Sequence, residues 1–438
     1  MEKTTRRNFL KDAAMTCGAM ALAGAEAAAE KPPNIVLIIS DDQAWTDYGF
    51  MGHEAIRTPR LDKLASESLV FTRGYVTAPL CCPSLASMVT GLWPHQHKIT
   101  GNDPPRVGGK GGWPPERLRL REQIIAHIDH LPTIPKLLGK KGYLSLQTGK
   151  WWLGHHRRGG FTHGMTHGDP KRGGRHGDAG LAIGRKTMKP ITDFLEAAGD
   201  RPFFIWYAPF LPHSPHNPPA RLLEKYRSKT NSIHIARYWA MCEWFDETCG
   251  QLLDALDERG LSRNTIVLYL CDNGWIQQPN SPRYAPRSKR SRFDGGVRTP
   301  IMVRWPGHVQ PHRDETTPVS SIDFAPTILA ACGLEPTPQM HGVNLLDRKA
   351  LSQRKAVFGG VFTHDEIDIE NPARNLLWRW CVSGWWKLCV PHRPNVPDGQ
   401  TELYNLHDDP FEKTNLAEKN PEKVRELLAL LDQRWKPA

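Results

Sequence analysis

The sequence predicts an α/β fold in which a mostly parallel sheet is sandwiched by helices and followed by a small C-terminal antiparallel sheet with one helix. Short apolar runs of the kind that form buried parallel strands end near Ser40, Leu146, Ala208 and Cys271, and they alternate with helical stretches. This alternation is typical of parallel strands covered by helices on both faces. Functional groups are then expected at the carboxyl ends of the strands.

Helix-ending residues predict two of the helices, and the chain length predicts the number of domains. One helix is predicted from about Ile235 to Glu258, where Gly260 ends it, and another from Pro421 to about Trp435. The chain of 438 residues is long enough for one large domain and a small one, with a boundary near 335–350. The predicted parts are an N-terminal signal at residues 1–29, a large domain at 30–340 and a C-terminal subdomain at 341–438.

The N-terminus has the features of an export signal of the twin-arginine type. The segment Thr5–Lys11 contains the paired arginines, and an alanine-rich stretch from Ala13 to Ala25 follows it. This stretch is shorter than the ~20 residues that a membrane span needs, and small residues suited to cleavage come after it. We therefore expect the twin-arginine translocase to export the protein to a bacterial periplasm or the cell exterior. No other segment is apolar and long enough to make it an integral membrane protein.

Charge and cysteine content limit the classes of function that are compatible with the sequence. The formal net charge is +11, from 57 Lys and Arg against 46 Asp and Glu, so the surface attracts polyanions. Nucleic acid is one polyanion, but the sequence contains no recognisable nucleic-acid-binding module. The nine cysteines are scattered, without the Cys-x-x-Cys pairs of zinc or redox sites. The composition therefore favours a polyanionic partner other than nucleic acid.

Acidic side chains follow two of the predicted strands. Asp41 and Asp42 come directly after the first strand, and Asp272 and Asn273 follow the strand that ends at Cys271. Adjacent carboxylates repel each other unless a cation lies between them. A single aspartate there is usually a cap or a turn residue, but two such groups at strand ends indicate a metal site. Hard oxygen donors suit calcium or magnesium rather than zinc.

The segment Cys81–Gly91 has the residue types of a nucleophile at the start of a helix. Pro83 and Ser84 suit the first turn of a helix. A nucleophile at that place lies beside unpaired backbone N–H groups, which favour an anion. Taken alone, the segment is equally compatible with a buried structural cysteine pair, because buried cysteines are common.

Together with the other motifs, this segment resembles the signature of the formylglycine-dependent sulfatases, Cys-x-Pro-Ser-Arg-x-x-x-(Leu/Met)-Thr-Gly, with Leu85 in place of the arginine. The resemblance spans about residues 34–417 and implies the alkaline-phosphatase-like fold of that family. It also implies that a maturing enzyme oxidises Cys81 to formylglycine, and that a divalent cation, usually Ca²⁺ with Mg²⁺ as the alternative, is bound. The implied metal ligands are Asp41, Asp42, Asp272, Asn273 and the modified Cys81.

The resemblance also implies three catalytic groups around the sulfate. Lys150 lies in a segment that resembles Gly-Lys-Trp-His-Leu-Gly, although Trp152 replaces the histidine of that motif. His213 lies in a Pro-His-x-Pro segment and would give a proton or a hydrogen bond to the leaving oxygen. Lys289 begins a segment that resembles Lys-x-x-x-Tyr-Glu-Gly-Gly-x-Arg-x-Pro and would bridge the leaving and transferred oxygens. Positive groups aimed at developing negative charge are usually the largest catalytic contribution.

The departure at Leu85 leaves three outcomes open. A tolerant maturing enzyme oxidises Cys81, or Cys81 acts as an unmodified thiol, or the protein is a binding relative without turnover. We favour the first outcome because the metal-binding and cationic groups of the motifs are otherwise intact.

Three further histidines are candidates for substrate binding. His95 and His97 follow the signature helix and are candidates to replace the lost arginine at the pocket rim, with ordinary helix-end roles as the equal alternative. His155 lies three residues after Trp152 and is a candidate for the missing histidine. It opens a segment, residues 155–177, that is rich in histidine, glycine and basic residues. This segment is either a substrate-gripping loop or a solvated insert.

The sequence thus predicts a sulfuric ester hydrolase that releases sulfate, with sulfated carbohydrate as the expected substrate. Its predicted partners are that substrate, a formylglycine-maturing enzyme and the twin-arginine translocase. Two alternatives stay open: a phosphate or phosphonate ester hydrolase of the same superfamily, and a non-catalytic binder of sulfated glycans.

Overall fold

The computed structural model describes residues 31–107, 113–169 and 173–437. The predicted signal at residues 1–29 lies outside the described residues, so it stays a prediction. From Pro33 onward the chain forms one compact unit. Within the described ranges, no helix combines the length and the apolar character needed to cross a membrane.

A nine-stranded sheet forms the centre of the molecule. Its strands lie in the order β4-β3-β5-β1-β6-β7-β2-β8, and β9 pairs with β2. The five strands from β4 to β6 are parallel, whereas β7 runs antiparallel to both of its neighbours. The strands are β1 (Asn34–Ser40), β2 (Leu69–Tyr75), β3 (Leu144–Gly149), β4 (His163–Gly164), β5 (Phe203–Ala208), β6 (Thr265–Cys271), β7 (Arg298–Arg304), β8 (His312–Asp314) and β9 (Val319–Ser320).

Helices cover both faces of this sheet. The larger helices of the described residues are α1 (Pro59–Ser66), α2 (Cys81–Thr90), α4 (Pro115–Ala126), α6 (Lys189–Ala198), α7 (Ala220–Arg227), α8 (Ile233–Asp257), α10 (Phe324–Ala331) and α13 (Pro421–Arg434), of which α13 packs on the C-terminal sheet described below. The shorter ones are α3 (Pro94–His97), α5 (Ile134–Gly139), α9 (Asp294–Val297), α11 (Arg348–Gln353) and α12 (Pro372–Asn375). The predicted α/β class with a mostly parallel sheet between helices is confirmed.

The side chains of the central strand show how the two helical layers are held. Because neighbouring residues of a strand point to opposite faces, Ile35 and Leu37 of β1 join the apolar cluster that contains α2. Val36 and Ile38 join a second cluster, which contains the inward face of α8. A strand that is apolar on both faces therefore needs a helix on each, as the sequence predicts.

The C-terminal part is the predicted small antiparallel sheet with one helix. Strands β10 (Val357–Phe362), β11 (Leu376–Ser383), β12 (Trp386–Pro391) and β13 (Glu402–Asn405) pair in sequence order. Leu427 and Leu431 of α13 pack against the apolar face of this sheet. The predicted domain boundary falls between β9 and β10.

The predicted element ends differ from the observed ones by a few residues. Strand β3 continues to Gly149, three residues past the predicted end, because Gly149 still pairs with Ala208 of β5. Helix α8 begins at Ile233 rather than Ile235, because the Ser232 side chain accepts the backbone N–H of Ile235 and caps the helix before it.

Candidate active site

The two acidic motifs meet because their strands are adjacent and in register. Ser40 of β1 pairs with Cys271 of β6, so the residues that follow both strands lie side by side. The backbone N–H of Asp42 donates to Asp272 Oδ1 at 3.1 Å, and Asn273 Nδ2 donates to Asp42 Oδ1 at 2.6 Å. These side chains are buried. The parallel register thus concentrates three carboxylates and one amide at one point.

Cys81 is the first residue of α2 and lies against this group. Its Sγ is 3.5 Å from Asn273 Oδ1 and 3.2 Å from Lys289 Nζ. Burial raises the pKa of the Cys81 thiol to about 12, although Lys150 and Lys289 act in the opposite direction. The predicted helix start at Cys81 is confirmed, and Asn102, which the motif does not include, accepts the N–H of Cys82 at 2.9 Å.

Two lysines and one histidine surround the carboxylates. Lys150 Nζ lies 2.5 Å from Asp41 Oδ1 and 3.2 Å from Asp272 Oδ2. Lys289 Nζ lies 2.6 and 2.8 Å from the two oxygens of Asp42, and His213 Nε2 lies 3.4 Å from Asp42 Oδ2. Burial opposes ionisation of Asp42, but Lys289 and His213 outweigh it and hold the pKa of this carboxyl below its usual value.

The structure therefore brings together eight of the residues that the motifs predict. We refer to them as the Cys81 site. Its members are Asp41, Asp42, Cys81, Lys150, His213, Asp272, Asn273 and Lys289.

The oxygen donors of the Cys81 site fit a hard divalent cation. Asp41 Oδ2 is buried and has no hydrogen-bond partner within the described ranges, which is costly for a carboxylate unless a cation binds it. Burial, with repulsion from Asp272 and Asp42, raises the pKa of Asp41 despite the nearby Lys150. Carboxylate and amide oxygens in such a group are the ligands that Ca²⁺ and Mg²⁺ take in proteins.

The two departures from the motifs occupy defined positions. Leu85 is one helical turn from Cys81 on the same face of α2, and it packs into the apolar core with 1% of its surface exposed. Trp152 is also buried, and its indole N–H has no hydrogen-bond partner among the residues described. The guanidinium of Arg175 lies 4.6 Å from the Trp152 ring centroid, and the His176 ring lies edge-on to it at 4.7 Å.

His176 is a site residue that the sequence motifs do not reveal. Its ring centroid lies 5.7 Å from that of Phe210, which stacks on His213 at 4.2 Å and lies 5.7 Å from Lys150 Nζ. Burial and the positive charges of Arg175 and Lys150 lower the pKa of His176 to about 3. His176 is thus a neutral imidazole on the wall of the Cys81 site, contributed by the segment 155–177.

Two arginines hold this wall in place. Arg175 donates to both carboxylate oxygens of Asp103, at 2.6 and 2.5 Å. Arg121 donates to the backbone oxygens of Trp152 and Arg175, at 3.0 Å each. The backbone N–H of Trp151 donates to the carbonyl of His176 at 2.8 Å. Two guanidinium groups therefore lie beside the position where the family motif has its histidine.

The structure does not bring His95, His97 or His155 to the Cys81 site. His97 is buried, with Nε2 3.0 Å from Ser87 Oγ. His95 stacks on Trp435 at 4.5 Å, close to the end of α13. These two positions follow from packing: α3 turns its histidines into contacts with α2 and with the C-terminal segment. The described contacts of His155 are within its own loop.

Two models of known families match the chain. The family model described as Sulfatase matches residues 33–334. A second model, described as N-sulphoglucosamine sulphohydrolase, C-terminal, matches residues 287–436.

Two relatives illustrate the degree of similarity. The chain is 30% identical to N-acetylgalactosamine-6-sulfatase of Homo sapiens over 73% of this chain and 66% of that protein. The aligned region thus spans slightly less than two thirds of that relative. Identity to arylsulfatase A of Bos taurus is 30%, over 94% of this chain and 89% of that protein.

A solved structure shows the same fold. The protein BT4656, in complex with its substrate D-glucosamine-2-N,6-O-disulfate, superposes with a TM-score of 0.70 and 20% identity, over 92% of this chain and 97% of that one. The fold, the Cys81 site and a family model that covers more than half of the residues agree: the chain belongs to the sulfatase family.

Proposed function

We propose that this protein hydrolyses sulfate esters of carbohydrates, with a formylglycine derived from Cys81 and a bound divalent cation, Ca²⁺ in preference to Mg²⁺. The observation that carries the proposal is the Cys81 site itself. It joins a helix-start cysteine to three carboxylates, an amide, two lysines and a histidine within one buried group.

The cation and the modified cysteine would have separate tasks. Asp41, Asp42, Asp272 and Asn273 would hold the cation, which when bound polarises the sulfate oxygens. Formylglycine, when formed, supplies a hydrated aldehyde as an oxygen nucleophile with a second hydroxyl that allows release of sulfate. Cys81 Sγ, the atom that the modification would replace, lies 3.5 Å from Asn273 Oδ1, which supports this proposal.

The two lysines supply fixed positive charge. Lys289 Nζ lies between Asp42 and Cys81, within 3.2 Å of the Cys81 Sγ. Lys150 is 1% exposed, so its charge acts in a water-excluded setting where electrostatic stabilisation is strong. Both ammonium groups would bind the sulfate oxygens and stabilise the negative charge that develops on them.

His213 is the proposed proton donor to the leaving oxygen. Its Nδ1 lies 2.5 Å from the backbone oxygen of Ser214, so Nδ1–H donates to this carbonyl. The other nitrogen, Nε2, is then the one directed at Asp42 and the Cys81 site. To act as a general acid the ring must also carry a proton on Nε2; burial lowers the pKa of His213 and disfavours this doubly protonated form, whereas the nearby Asp42 carboxylate favours it.

Sulfated carbohydrate is the proposed substrate class. The matched relatives include a protein named for a sulfated amino sugar, and BT4656 binds a glucosamine disulfate. The net charge of +11 favours approach of a polyanion. A formylglycine-maturing enzyme and the twin-arginine translocase complete the proposed partners, with a periplasmic or extracellular location.

The first test is mass spectrometry of the peptide that contains Cys81, on protein made in a host with a formylglycine-maturing enzyme. We expect an aldehyde at Cys81 and release of sulfate from 4-nitrophenyl sulfate and from a sulfated glucosamine. Cys82→Ser is the matched control, because it removes the neighbouring thiol and should keep both properties. Cys81→Ala should abolish release of sulfate.

Three results would contradict the proposal in different ways. An unmodified Cys81 thiol in every preparation would remove the formylglycine mechanism. Faster hydrolysis of 4-nitrophenyl phosphate or a phosphonate ester than of the sulfate, measured side by side, would favour the phosphate or phosphonate ester hydrolase. Tight binding of a sulfated polysaccharide without release of sulfate would indicate a glycan binder.

A further inference from the structure

Three histidines outside the Cys81 site converge in the segment that follows Trp152. The ring centroids of His155 and His156 are 4.2 Å apart, and those of His155 and His167 are 5.5 Å apart. One potential ligand atom from each of the three lies within 4.8 Å of the others. We refer to His155, His156 and His167 as the triple-histidine cluster. None of the contacts described for it involves a member of the Cys81 site.

The hydrogen bonds of the cluster leave a free lone pair on one histidine and engage another only weakly. His156 is buried, and its Nδ1 lies 3.0 Å from the backbone oxygen of Thr166, so Nδ1–H donates there and Nε2 keeps its lone pair. This is the arrangement of metal-binding histidines, whose second nitrogen usually donates to a carbonyl or a carboxylate. Neither ring nitrogen of His167 makes a hydrogen bond within the described part of the chain. His155 Nδ1 accepts the N–H of Arg157 at 3.2 Å, a long bond that a ring movement on metal binding would replace.

The protonation state also suits a metal ligand. Burial lowers the pKa of His155 and of His156, and the neighbouring imidazoles and Arg157 lower both further. Metals bind the neutral imidazole, so these groups need not lose a proton at neutral pH. Three imidazoles with a shared approach point thus form a nitrogen site of borderline softness, unlike the hard, oxygen-rich Cys81 site.

The backbone that carries the cluster is fixed. The carboxylate of Asp178 accepts the N–H groups of His167, Gly168 and Asp169, at 2.9, 2.8 and 3.2 Å. On the other side, the N–H of His156 donates to the carbonyl of Thr166 at 3.0 Å. The two turns that supply the histidines are therefore tied together before any ligand binds, which is the preorganisation that a metal site needs.

We propose that the triple-histidine cluster binds a transition-metal ion of the Zn²⁺ type, with three imidazole nitrogens as ligands and solvent at the fourth position. A site of three nitrogen donors selects Zn²⁺, Co²⁺ or Ni²⁺ over Ca²⁺ and Mg²⁺. The ion would stabilise the segment that also supplies His176. Thr166 links the triple-histidine cluster to the part of the segment that carries His176, because the Thr166 hydroxyl donates to the carbonyl of Gly177 at 2.9 Å.

Co²⁺ binding to the full-length protein tests this site without reference to activity. Chelator-treated protein in excess Ca²⁺ would be titrated with Co²⁺ and followed by visible absorption and calorimetry. We expect one Co²⁺ per chain with the intense absorption of a four-coordinate site. His167→Ala, at an exposed position, should weaken binding about 100-fold or more, and His156→Ala should do the same. The matched control is His163→Ala, a histidine of the same segment outside the cluster, which should bind Co²⁺ normally.

Two results would overturn the site. One is absence of Co²⁺ uptake by the folded wild-type protein. The other is uptake that persists unchanged in His167→Ala, with the fold of that variant verified by circular dichroism. Because the readout is metal binding in the presence of Ca²⁺, neither result depends on whether Cys81 is modified or sulfate is released.

Discussion

At the scale of single residues, position 152 shows what surrounds the Cys81 site where this chain departs from the family motif. The family motif has a histidine there, and this chain has Trp152, whose indole offers an N–H donor but no basic nitrogen. The structure places His176 edge-on to this indole at 4.7 Å. Arg175 Nη1 lies 2.6 Å from His176 Nε2, so the guanidinium donates to Nε2 and the proton of the neutral ring is on Nδ1. The Nδ1–H of His176 is thus a hydrogen-bond donor on the wall of the Cys81 site.

We expect His176→Ala to lower kcat/KM for a sulfate ester by about 10- to 100-fold, because a hydrogen bond to a charged group is worth about 1.5–3 kcal/mol. His163→Ala is the control and should leave kcat/KM unchanged. Steady-state kinetics from pH 5 to 9 provides the check. Since the pKa of His176 is about 3, the variant should lower the profile at every pH without changing its shape. A changed shape, or no loss of rate, would contradict the assigned role.

The contrast between predicted and unpredicted site residues has a physical cause. Asp41 and Asp272 were predictable as neighbours, because the carboxyl ends of adjacent parallel strands meet and the strands are visible in the sequence. The place of His176 depends on the path of a loop that no periodicity describes. The position of His97 was equally hidden, because a histidine at a helix end looks the same in sequence whether it faces a pocket or the core.

At the scale of secondary structure, the end of β3 determines where Lys150 lies. Gly149 has φ +74°, and a Cβ atom there would lie 1.8 Å from the carbonyl oxygen of Ala208 on β5. The next residue, Lys150, donates its N–H to the same carbonyl at 2.7 Å. Only glycine combines this backbone conformation with this close approach, so Gly149 aims Lys150 into the Cys81 site.

Gly149→Ala should destabilise the fold by about 3 kcal/mol or more and remove most of the activity, because β3 and β5 must separate to admit the methyl group. Gly142→Ala is a matched control, since Gly142 has φ +78° but no atom within 4 Å of the added Cβ. Gly142→Ala should lower the free energy of unfolding by about 1–2 kcal/mol, because only the left-handed backbone conformation is unfavourable for alanine there. Urea unfolding of both variants measures the difference. If both variants lose the same free energy of unfolding, the strands accommodate the methyl group at position 149 without an energetic penalty from the contact with Ala208.

The elements themselves were predictable to within a few residues where they are buried on both faces. Strand β6 ends at Cys271 as predicted, because its apolar run stops where the acidic motif begins. The predicted end of β3 at Leu146 was too early, since Gln147 and Thr148 read as polar although both are buried. Gln147 can be buried because its Nε2 donates to the carbonyl of Gly149 at 3.1 Å. No sequence pattern predicts this hydrogen bond.

At the scale of the whole molecule, a buried ion cluster joins the large sheet to the small one. Lys387 of β12 has 0% of its side chain exposed, and its Nζ lies 2.7 Å from Asp294 Oδ1 of α9 and 2.9 Å from Glu412 Oε1. Glu412 also accepts the backbone N–H of Asp294 at 2.6 Å. Asp294 lies in the segment that begins with Lys289, so the small sheet supports the part of the chain that supplies Lys289 to the Cys81 site.

Lys387→Met should destabilise the protein by about 3–5 kcal/mol, because it leaves Glu412 buried without its cation and leaves Asp294 with the more distant Arg298, at 3.6 Å. Lys189→Met is the control, since Lys189 forms an exposed pair with Asp193 and should change stability by less than about 0.5 kcal/mol. Urea denaturation at pH 8 gives both values. A loss below 1 kcal/mol for Lys387→Met would mean that water enters and solvates the two carboxylates.

The ion cluster of Lys387, Asp294 and Glu412 also predicts how the destabilisation caused by Lys387→Met depends on pH. Burial raises the pKa of Glu412 to about 7 in the folded protein, although Lys387 acts to lower it, from an ordinary value of 4.5. Between these two values the folded state binds more protons than the unfolded state, so the contribution of Glu412 to stability falls as pH rises through this window. Without Lys387 the ionised form loses its main stabilising partner, and the pKa of Glu412 in the variant must lie higher still. The deficit of Lys387→Met relative to the wild type should therefore be smaller at pH 5 than at pH 8. Denaturation curves of the pair at both pH values test this, and a deficit that does not change with pH would show that Lys387 acts by packing rather than by charge.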